Sequence, residues 1–327
     1  MNTELSVSVI GEALVDIIND PRSSQTQTHP GGSPLNVAVG ASRLGLRTTL
    51  VTHYADDTHG ASLEKHLRSN NVDVIKGGSA PTSTAIATLG ADGAATYTFD
   101  ISWDLDDAWT TAAEAVRSAG HVHTGSIASV LAPGDEHTLS LVGAAREWAT
   151  VSFDPNCRPA ISPDVELVRP RIEQFVAASD IVKASDEDLL WLYPDRTPLE
   201  ALEAWLDLGP AVVALTRGAA GPVILTRQVR VEMPAVSVVV ADTVGAGDSF
   251  MAGLMSALAQ LGTLGAVGRE KLNSLSKDEL SGVAAYANSA AAITCSRAGA
   301  NPPTANELGP LDSSFSRRPS VKANGQV

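Results

Sequence analysis

The strongest constraint on the fold is a rhythm. From Thr110 onward, helix-like stretches near residues 111–118, 136–148, 170–178, 187–193 and 198–207 alternate with strand-like stretches near 120–123, 150–153, 180–183, 211–215 and 222–226. Strands that alternate with helices are joined by crossovers, and crossovers make parallel sheets covered by helices on both faces. In such sheets, ligands bind at the C-terminal ends of the strands. The expected fold class is therefore α/β, with a mainly parallel central sheet.

The N-terminal part fits the same plan. Leu5 to Ile10 reads as a buried strand, and Leu14 to Ile18 continues as β after Gly11-Glu12. Residues 20–33 read as turn-rich and polar. Pro34 then opens a small-residue helix that Gly45 closes, the expected placement of proline and glycine. A strand over 48–52, a helix over 58–70 and a strand over 72–75 follow. Residues 82–101 differ in texture. Two β-rich segments flank Gly90-Ala91-Asp92-Gly93, which signals an antiparallel hairpin. Past Val229 to Val231, a β-rich run Val236 to Val240 leads into a helix over 246–261, and a last helix spans about 278–295. No linker or repeat divides the chain. One domain over 1–311, with small β insertions at about 13–29 and 82–103 and a polar tail over 312–327, is the economical organisation.

Composition excludes several classes. The net charge of −14 argues against a nucleic-acid or anionic-membrane surface. It leaves room for a polyphosphate ligand, because a helix N-terminus holds phosphate locally. Cys157 and Cys295 have no metal-like or disulfide spacing. The N-terminus carries Glu4 and no signal-like pattern, and no apolar run approaches the ~18 residues of a membrane helix, so a cytoplasmic protein is expected. His121-Val122-His123 and the scattered His53, His59 and His66 read as structural, and Trp103 and Trp109 as packing residues.

Chemistry concentrates in Asp242-Thr243-Val244-Gly245-Ala246-Gly247-Asp248, between the β-rich run and a helix. Backbone N–H groups of residues 245–248 would converge at a helix N-terminus and form an anion hole. Asp248 at its mouth suits a base that accepts a proton from a hydroxyl attacking phosphorus. The chain lacks a P-loop, the protein-kinase motifs and a complete G-x-G-x-x-G.

A second stretch, Gly31-Gly32-Ser33-Pro34-Leu35-Asn36-Val37-Ala38, lies some 210 residues before the first. Together the two resemble the paired signatures of the ribokinase-like (PfkB) carbohydrate kinases. The resemblance covers residues 5–308 and implies a three-layer αβα fold with a small β-sheet lid. Gly11 to Asp16 resembles the family's first strand with its sugar-binding acid. Asp154-Pro155-Asn156-Cys157-Arg158 resembles the D-x-N-x-R of the fructokinase and ketodeoxygluconate kinase branch, and Thr216 to Gly221 the nucleotide-binding T-x-G-x-x-G.

The resemblance implies site residues. Asp16, Gly31, Gly32, Asn36 and Arg158 would hold the sugar. Lys183, Ser185, Thr216, Gly218, Gly221 and Asn288 would hold ATP. Asp248, with Gly245, Ala246 and Gly247, would perform the transfer. Asp188 occupies the family's N-x-x-E position, here S-x-x-D, and would act on Mg2+ through water. Asp242 and Thr243, with Ala298 and Gly299, would hold K+. The hairpin would be the lid that expels water, and its edges would pair two copies into a homodimer. Acid-sugar kinases of the family often carry Tyr-x-Arg in the lid. Here Tyr97-Thr98-Phe99-Asp100-Ile101 has no Arg, and Asp100 would repel a carboxylate. The expected activity is that of a fructokinase. Ketodeoxygluconate kinase, ribokinase and nucleoside kinase stay open, as does a catalytically inactive sugar sensor on the same fold.

Overall fold

The computed structural model describes residues 5–19, 26–89 and 95–311. The polar tail over 312–327 and the hairpin turn at residues 90–93 fall outside the described residues.

Nine strands form the central sheet: β1 (Ser6–Ile10), β4 (Arg47–His53), β5 (Asp73–Gly77), β8 (His121–Gly125), β9 (Thr150–Asp154), β10 (Ile181–Ser185), β11 (Val212–Thr216), β12 (Val223–Leu225) and β13 (Arg230–Glu232). Their spatial order is β13-β12-β11-β10-β9-β8-β1-β4-β5. Every pairing from β11 to β5 is parallel, and β12 and β13 close one edge antiparallel. The interior strands β8 and β9 are buried at every position. Burial on both faces explains why these strands read as continuous runs rather than as an alternation.

The second sheet has four strands: β2 (Leu14–Asn19), β3 (Thr26–Gly31), β6 (Ser83–Leu89) and β7 (Ala95–Asp100), in the order β3-β2-β6-β7. It pairs two segments 69 residues apart in the chain, because β2 and β6 run parallel from Leu14 opposite Ser83 to Asn19 opposite Thr88. β3 corrects the turn-rich reading of residues 20–33. Its sequence, Thr-Gln-Thr-His-Pro-Gly, is polar and mostly exposed, so it carries no apolar period.

Two helices fix the site. The Ser33–Arg43 helix starts at Gly32 with proline in its first turn. The Ala246–Gln260 helix has Gly245 as its N-cap. It packs against the Lys277–Cys295 helix, whose start is fixed by a capping box between Ser276 and Glu279. Residues 236–240 do not form the expected strand. They run without strand pairing to the Ala246–Gln260 helix, with Val239 90% and Val240 60% exposed. No neighbouring strand among the described residues receives their backbone, so apolar composition alone could not make them a strand.

Candidate active site

The C-terminal ends of the parallel strands and the N-termini of these two helices meet at Asp248. This carboxylate is 9% exposed and lies in the first turn of the Ala246–Gln260 helix. Ser33 Oγ donates to its Oδ1 at 2.6 Å, and Asn36 Nδ2 donates to its Oδ2 at 2.8 Å. The 31–38 and 242–248 stretches thus touch each other through hydrogen bonds. Two donors from one helix fix the orientation of the carboxylate, and each oxygen keeps a further lone pair for a substrate hydroxyl. Asn36, expected at the sugar, holds the acid. Ser33 was not singled out from the sequence, although its place between Gly32 and Pro34 is that of a polar first-turn residue.

The turn before Asp248 needs its glycine. Gly245 has φ 73°, and a Cβ there would stand 2.6 Å from the Ala300 methyl. Asp242 ties the same turn to the 297–301 loop. Its Oδ1 accepts from Val244 N at 3.1 Å and its Oδ2 from Gly299 N at 2.9 Å. These backbone donors hold its pKa below the ordinary value. This contact brings the Asp242–Thr243 and Ala298–Gly299 segments side by side.

Beneath the turn lies a buried ion pair. Lys183 Nζ sits 2.6 Å from Asp154 Oδ2, with side-chain exposures of 4% and 1%. Burial works against both charges. It lifts Asp154 to about 6 against the pull of Lys183, while Asp154, Asp188 and Asp248 together hold Lys183 above its ordinary value. The ammonium lies 3.1 Å from the point a Cβ would occupy on Gly247. Lys183 thus points at the N-terminal turn of the Ala246–Gln260 helix, where free backbone N–H groups gather.

Asp188 accepts hydrogen bonds on both carboxylate oxygens. Its Oδ2 accepts from Ser185 N at 2.9 Å and Ser185 Oγ at 2.7 Å, and its Oδ1 from Cys157 N at 2.7 Å. This capping box fixes the Asp186–Leu192 helix and joins it to the Asp154–Arg158 segment. Among the described residues no group of three or more His, Cys, Asp or Glu side chains could hold a metal ion. The donor set fits Mg2+ only as an ion that arrives on nucleotide phosphates and keeps its waters.

Ser185 and Thr216 are register partners at the ends of β10 and β11, and the Gly218 to Gly221 turn follows directly. Asn288 does not reach that turn by any hydrogen bond among the described residues. Its Nδ2 donates to Pro234 O at 2.9 Å and so anchors the segment leading to the Gly245 turn.

The sugar side has a different construction. Asp16 on β2 leans over Gly31, where a Cβ would stand 2.2 Å from its Oδ2. Burial raises the Asp16 pKa, and the charges of His29 and Arg158 work against that rise. Arg158 is exposed and donates to Asn156 O and Cys157 O. Register corrects the role expected of Asp100. Asp16, Ala85 and Phe99 are consecutive partners across β2, β6 and β7 and share one face, whereas Val15, Thr84 and Asp100 share the other. Val15 is buried in the core with Leu63 and Leu67, so Asp100 lies on the face turned away from Asp16.

One buried acid escaped the sequence reading. Glu12 is 2% exposed, its Oε2 has no hydrogen-bond partner among the described residues, and burial lifts its pKa to about 7. Ser126, which bonds to it, and Asn156, whose Nδ2 donates to Ser126 Oγ at 3.2 Å, both have left-handed backbones at φ 55° and 37°. Such strain gathers at functional sites. The remaining singled-out residues are structural. His121 and His123 bond to Thr150 and Ser152, and Trp103 donates to Thr138 in the core.

A mainly parallel sheet, a helix N-terminus that carries a carboxylate fixed by two donors, and a second sheet whose Asp16 stands beside the Gly31–Gly32 turn are the features of kinases that phosphorylate a small-molecule hydroxyl. Residues 4–307 match the pfkB family carbohydrate kinase model. A fructokinase from Rhizobium leguminosarum bv. trifolii is 35% identical over 258 residues, 76% of this chain and 78% of that protein. A sugar kinase from Pyrococcus horikoshii, solved in complex with ATP, superposes with a TM-score of 0.75 at 26% identity over 92% of this chain and 96% of that one. A Vibrio cholerae fructokinase, solved with fructose, ADP and calcium, superposes with a TM-score of 0.75 at 25% identity over 96% and 99%. The chain belongs to the pfkB family of carbohydrate kinases, phosphotransferases with an alcohol group as acceptor.

Proposed function

We propose that this kinase is a fructokinase, transferring the γ-phosphoryl group of ATP to a primary hydroxyl of a neutral ketohexose. One observation carries the mechanism: Asp248 is fixed by Ser33 and Asn36 at the mouth of a helix N-terminus. In this reading Asp248 accepts the hydroxyl proton as the oxygen reaches phosphorus, late in a loose transition state. The backbone N–H groups of Gly245 to Asp248, with Gly247 and Ala246 between them, stabilise the charge on the transferring group. Lys183 adds a positive charge beside Gly247. Ser185, Thr216, Gly218 and Gly221 line the nucleotide end, and Asn288 shapes it through Pro234. Mg2+, when bound, neutralises the phosphates.

Fructose is favoured by the names of relatives at about 30–35% identity and by the fructose in the Vibrio cholerae structure. Asp16, Gly31 and Gly32 would grip its hydroxyls, with Arg158 at the rim. The exposed Arg158 also favours a second reading, an acid-sugar kinase. A K+ ion between the Asp242–Thr243 and Ala298–Gly299 backbones, and a second copy paired along the open edges of β3 or β7, belong to the same proposal.

The test is ADP release with fructose, tagatose, ribose, ketodeoxygluconate and adenosine, on wild type and Asp248→Asn. Fructose should give the highest kcat/KM. D248N should lose about 10²- to 10⁴-fold in kcat, with ADP and sugar binding retained in calorimetry. A D248N enzyme turning over at the wild-type rate would remove Asp248 as the base.

A further inference from the structure

We propose that His29 is a further sugar-contacting residue, a second polar arm beside Asp16 that sets which ketohexose epimer is accepted. The proposal rests on the sugar-kinase reading above.

The register carries it. In the antiparallel pairing of β2 and β3, His29 stands directly opposite Asp16, and Gly31 stands opposite Leu14. Directly opposed residues project from the same face about 5 Å apart. The row therefore runs His29, Asp16, Ala85, Phe99 across all four strands. Two residues farther along the strands, Ile18, Ala87 and Tyr97 continue that face, and the Tyr97 and Phe99 rings stack with centroids 6.1 Å apart and 7° between planes.

This row has the shape of a saddle. Ala85 is its low point, flanked by Asp16 on one side and Phe99 on the other. Asp16 and Phe99 are two strand spacings apart, about 10 Å, enough for one hexose ring. The aromatic wall suits the C–H face of a sugar, and the opposite wall offers hydroxyl partners. The other face of the sheet is taken: Val15 is buried with Leu63 and Leu67, and Ile17 packs on the same cluster. The saddle thus lies on the face turned from that cluster, next to the Gly31–Gly32 turn that leads to Ser33, Asn36 and Asp248.

His29 is exposed, on the described part of β3. No hydrogen bond among the described residues occupies its ring, whereas buried His53, His121 and His123 are all bonded. Imidazole offers a donor and an acceptor, and carboxylate offers acceptors alone. Two such arms one strand apart contact different hydroxyls of one ring. Inverting one hydroxyl therefore breaks the match, because a site group left unpaired costs more than a missing contact returns.

The experiment compares wild type, His29→Ala, His29→Asn and Thr28→Ala. Kinetics are measured with fructose, tagatose, sorbose and psicose at saturating ATP, and fructose binding by calorimetry in the presence of ADP. Thr28 is opposite Ile17, on the face turned to the core, and serves as the control. H29A should raise fructose KM about tenfold, with kcat and ATP KM within about twofold. It should also flatten the ratio of kcat/KM between epimers. H29N, which keeps a donor and an acceptor, should recover part of both effects, and T28A should match wild type. An H29A enzyme with wild-type fructose KM and epimer ratios overturns the role of His29 and leaves the kinase reading standing. A wild type that phosphorylates none of the sugars overturns the kinase reading and the His29 role with it.

Discussion

The two sheets of this protein divide the work. The interior strands of the central sheet are buried on both faces, and the charged groups near their C-terminal ends are buried: Asp154, Lys183 and, on the helix beside them, Asp248. The lid sheet is packed on one face only. Its outer strands β3 and β7 are largely exposed, and the face turned from the core carries Asp16, His29, Phe99 and Tyr97. Its root is pinned to the body. Thr82, just before β6, donates through its Oγ1 and N to Asp57, while Ala55 N donates to Thr82 Oγ1. Fixed charges in a dry site are what transition-state stabilisation requires, since they cost no reorganisation when the reaction occurs. Hydroxyl recognition tolerates a wetter, more mobile support. The contrast predicts that changes in the body act on kcat and changes in the lid act on sugar KM.

The largest break in that division should come from Lys183. Lys183→Met should lower kcat about 10²-fold, with sugar KM within about twofold. It also strands Asp154 as a buried unpaired charge, which destabilises the fold. The double variant Lys183→Met/Asp154→Leu removes both charges, and its unfolding midpoint should return toward wild type. Its kcat should stay low. Full recovery of rate in the double variant would mean that the ion pair serves only to hold β9 against β10.

Glu12 tests the body in another way. Its carboxyl is lifted from 4.5 to about 7 by burial. The native state therefore retains a proton that the unfolded chain releases between those values. Stability contributed by this group is complete below pH 4.5 and is lost as pH rises through about 7. Glu12→Gln removes the titration. It should stabilise the protein by about 3 kcal/mol at pH 9 and by little at pH 4.5, read from denaturant midpoints at both values. Equal midpoint shifts at the two pH values would show that Glu12 is paired in a way that hides its burial.

The same contrast explains what could be read from the chain. The body was legible because doubly buried strands, such as His121–Gly125 and Thr150–Asp154, form short runs between amphipathic helices. Gly245 was legible because a left-handed turn packed on Ala300 leaves room for glycine alone. The lid was legible only in part. β6 and β7 carry alternating β-formers, but β3 is Thr-Gln-Thr-His-Pro-Gly, and only its partner β2 makes it a strand. Val236 to Val240 failed in the opposite direction, since apolar residues cannot form a strand without a sheet edge to join. Glu12 and the contact of Asn36 with Asp248 were hidden for a third reason. Local sequence does not reveal which buried acid lacks a partner, or which amide reaches an acid 212 residues away.

The smallest expected effect is the sharpest test of the lid's register. If Asp100 faced the cleft, its charge would discriminate against a sugar carboxylate. The pairing of Thr84 with both Asp100 and Val15 places it on the opposite face. Asp100→Asn should therefore leave the ratio of kcat/KM for fructose to that for ketodeoxygluconate unchanged within about twofold, as for an ordinary surface substitution. Ala85→Asp, in the row of Asp16 and Phe99, should lower both values and lower the acid sugar further, because like charges then meet across the saddle. A large gain in ketodeoxygluconate turnover by D100N would shift the register of β7 by one residue. It would put Asp100 where Phe99 stands and remove the aromatic wall from the sugar site.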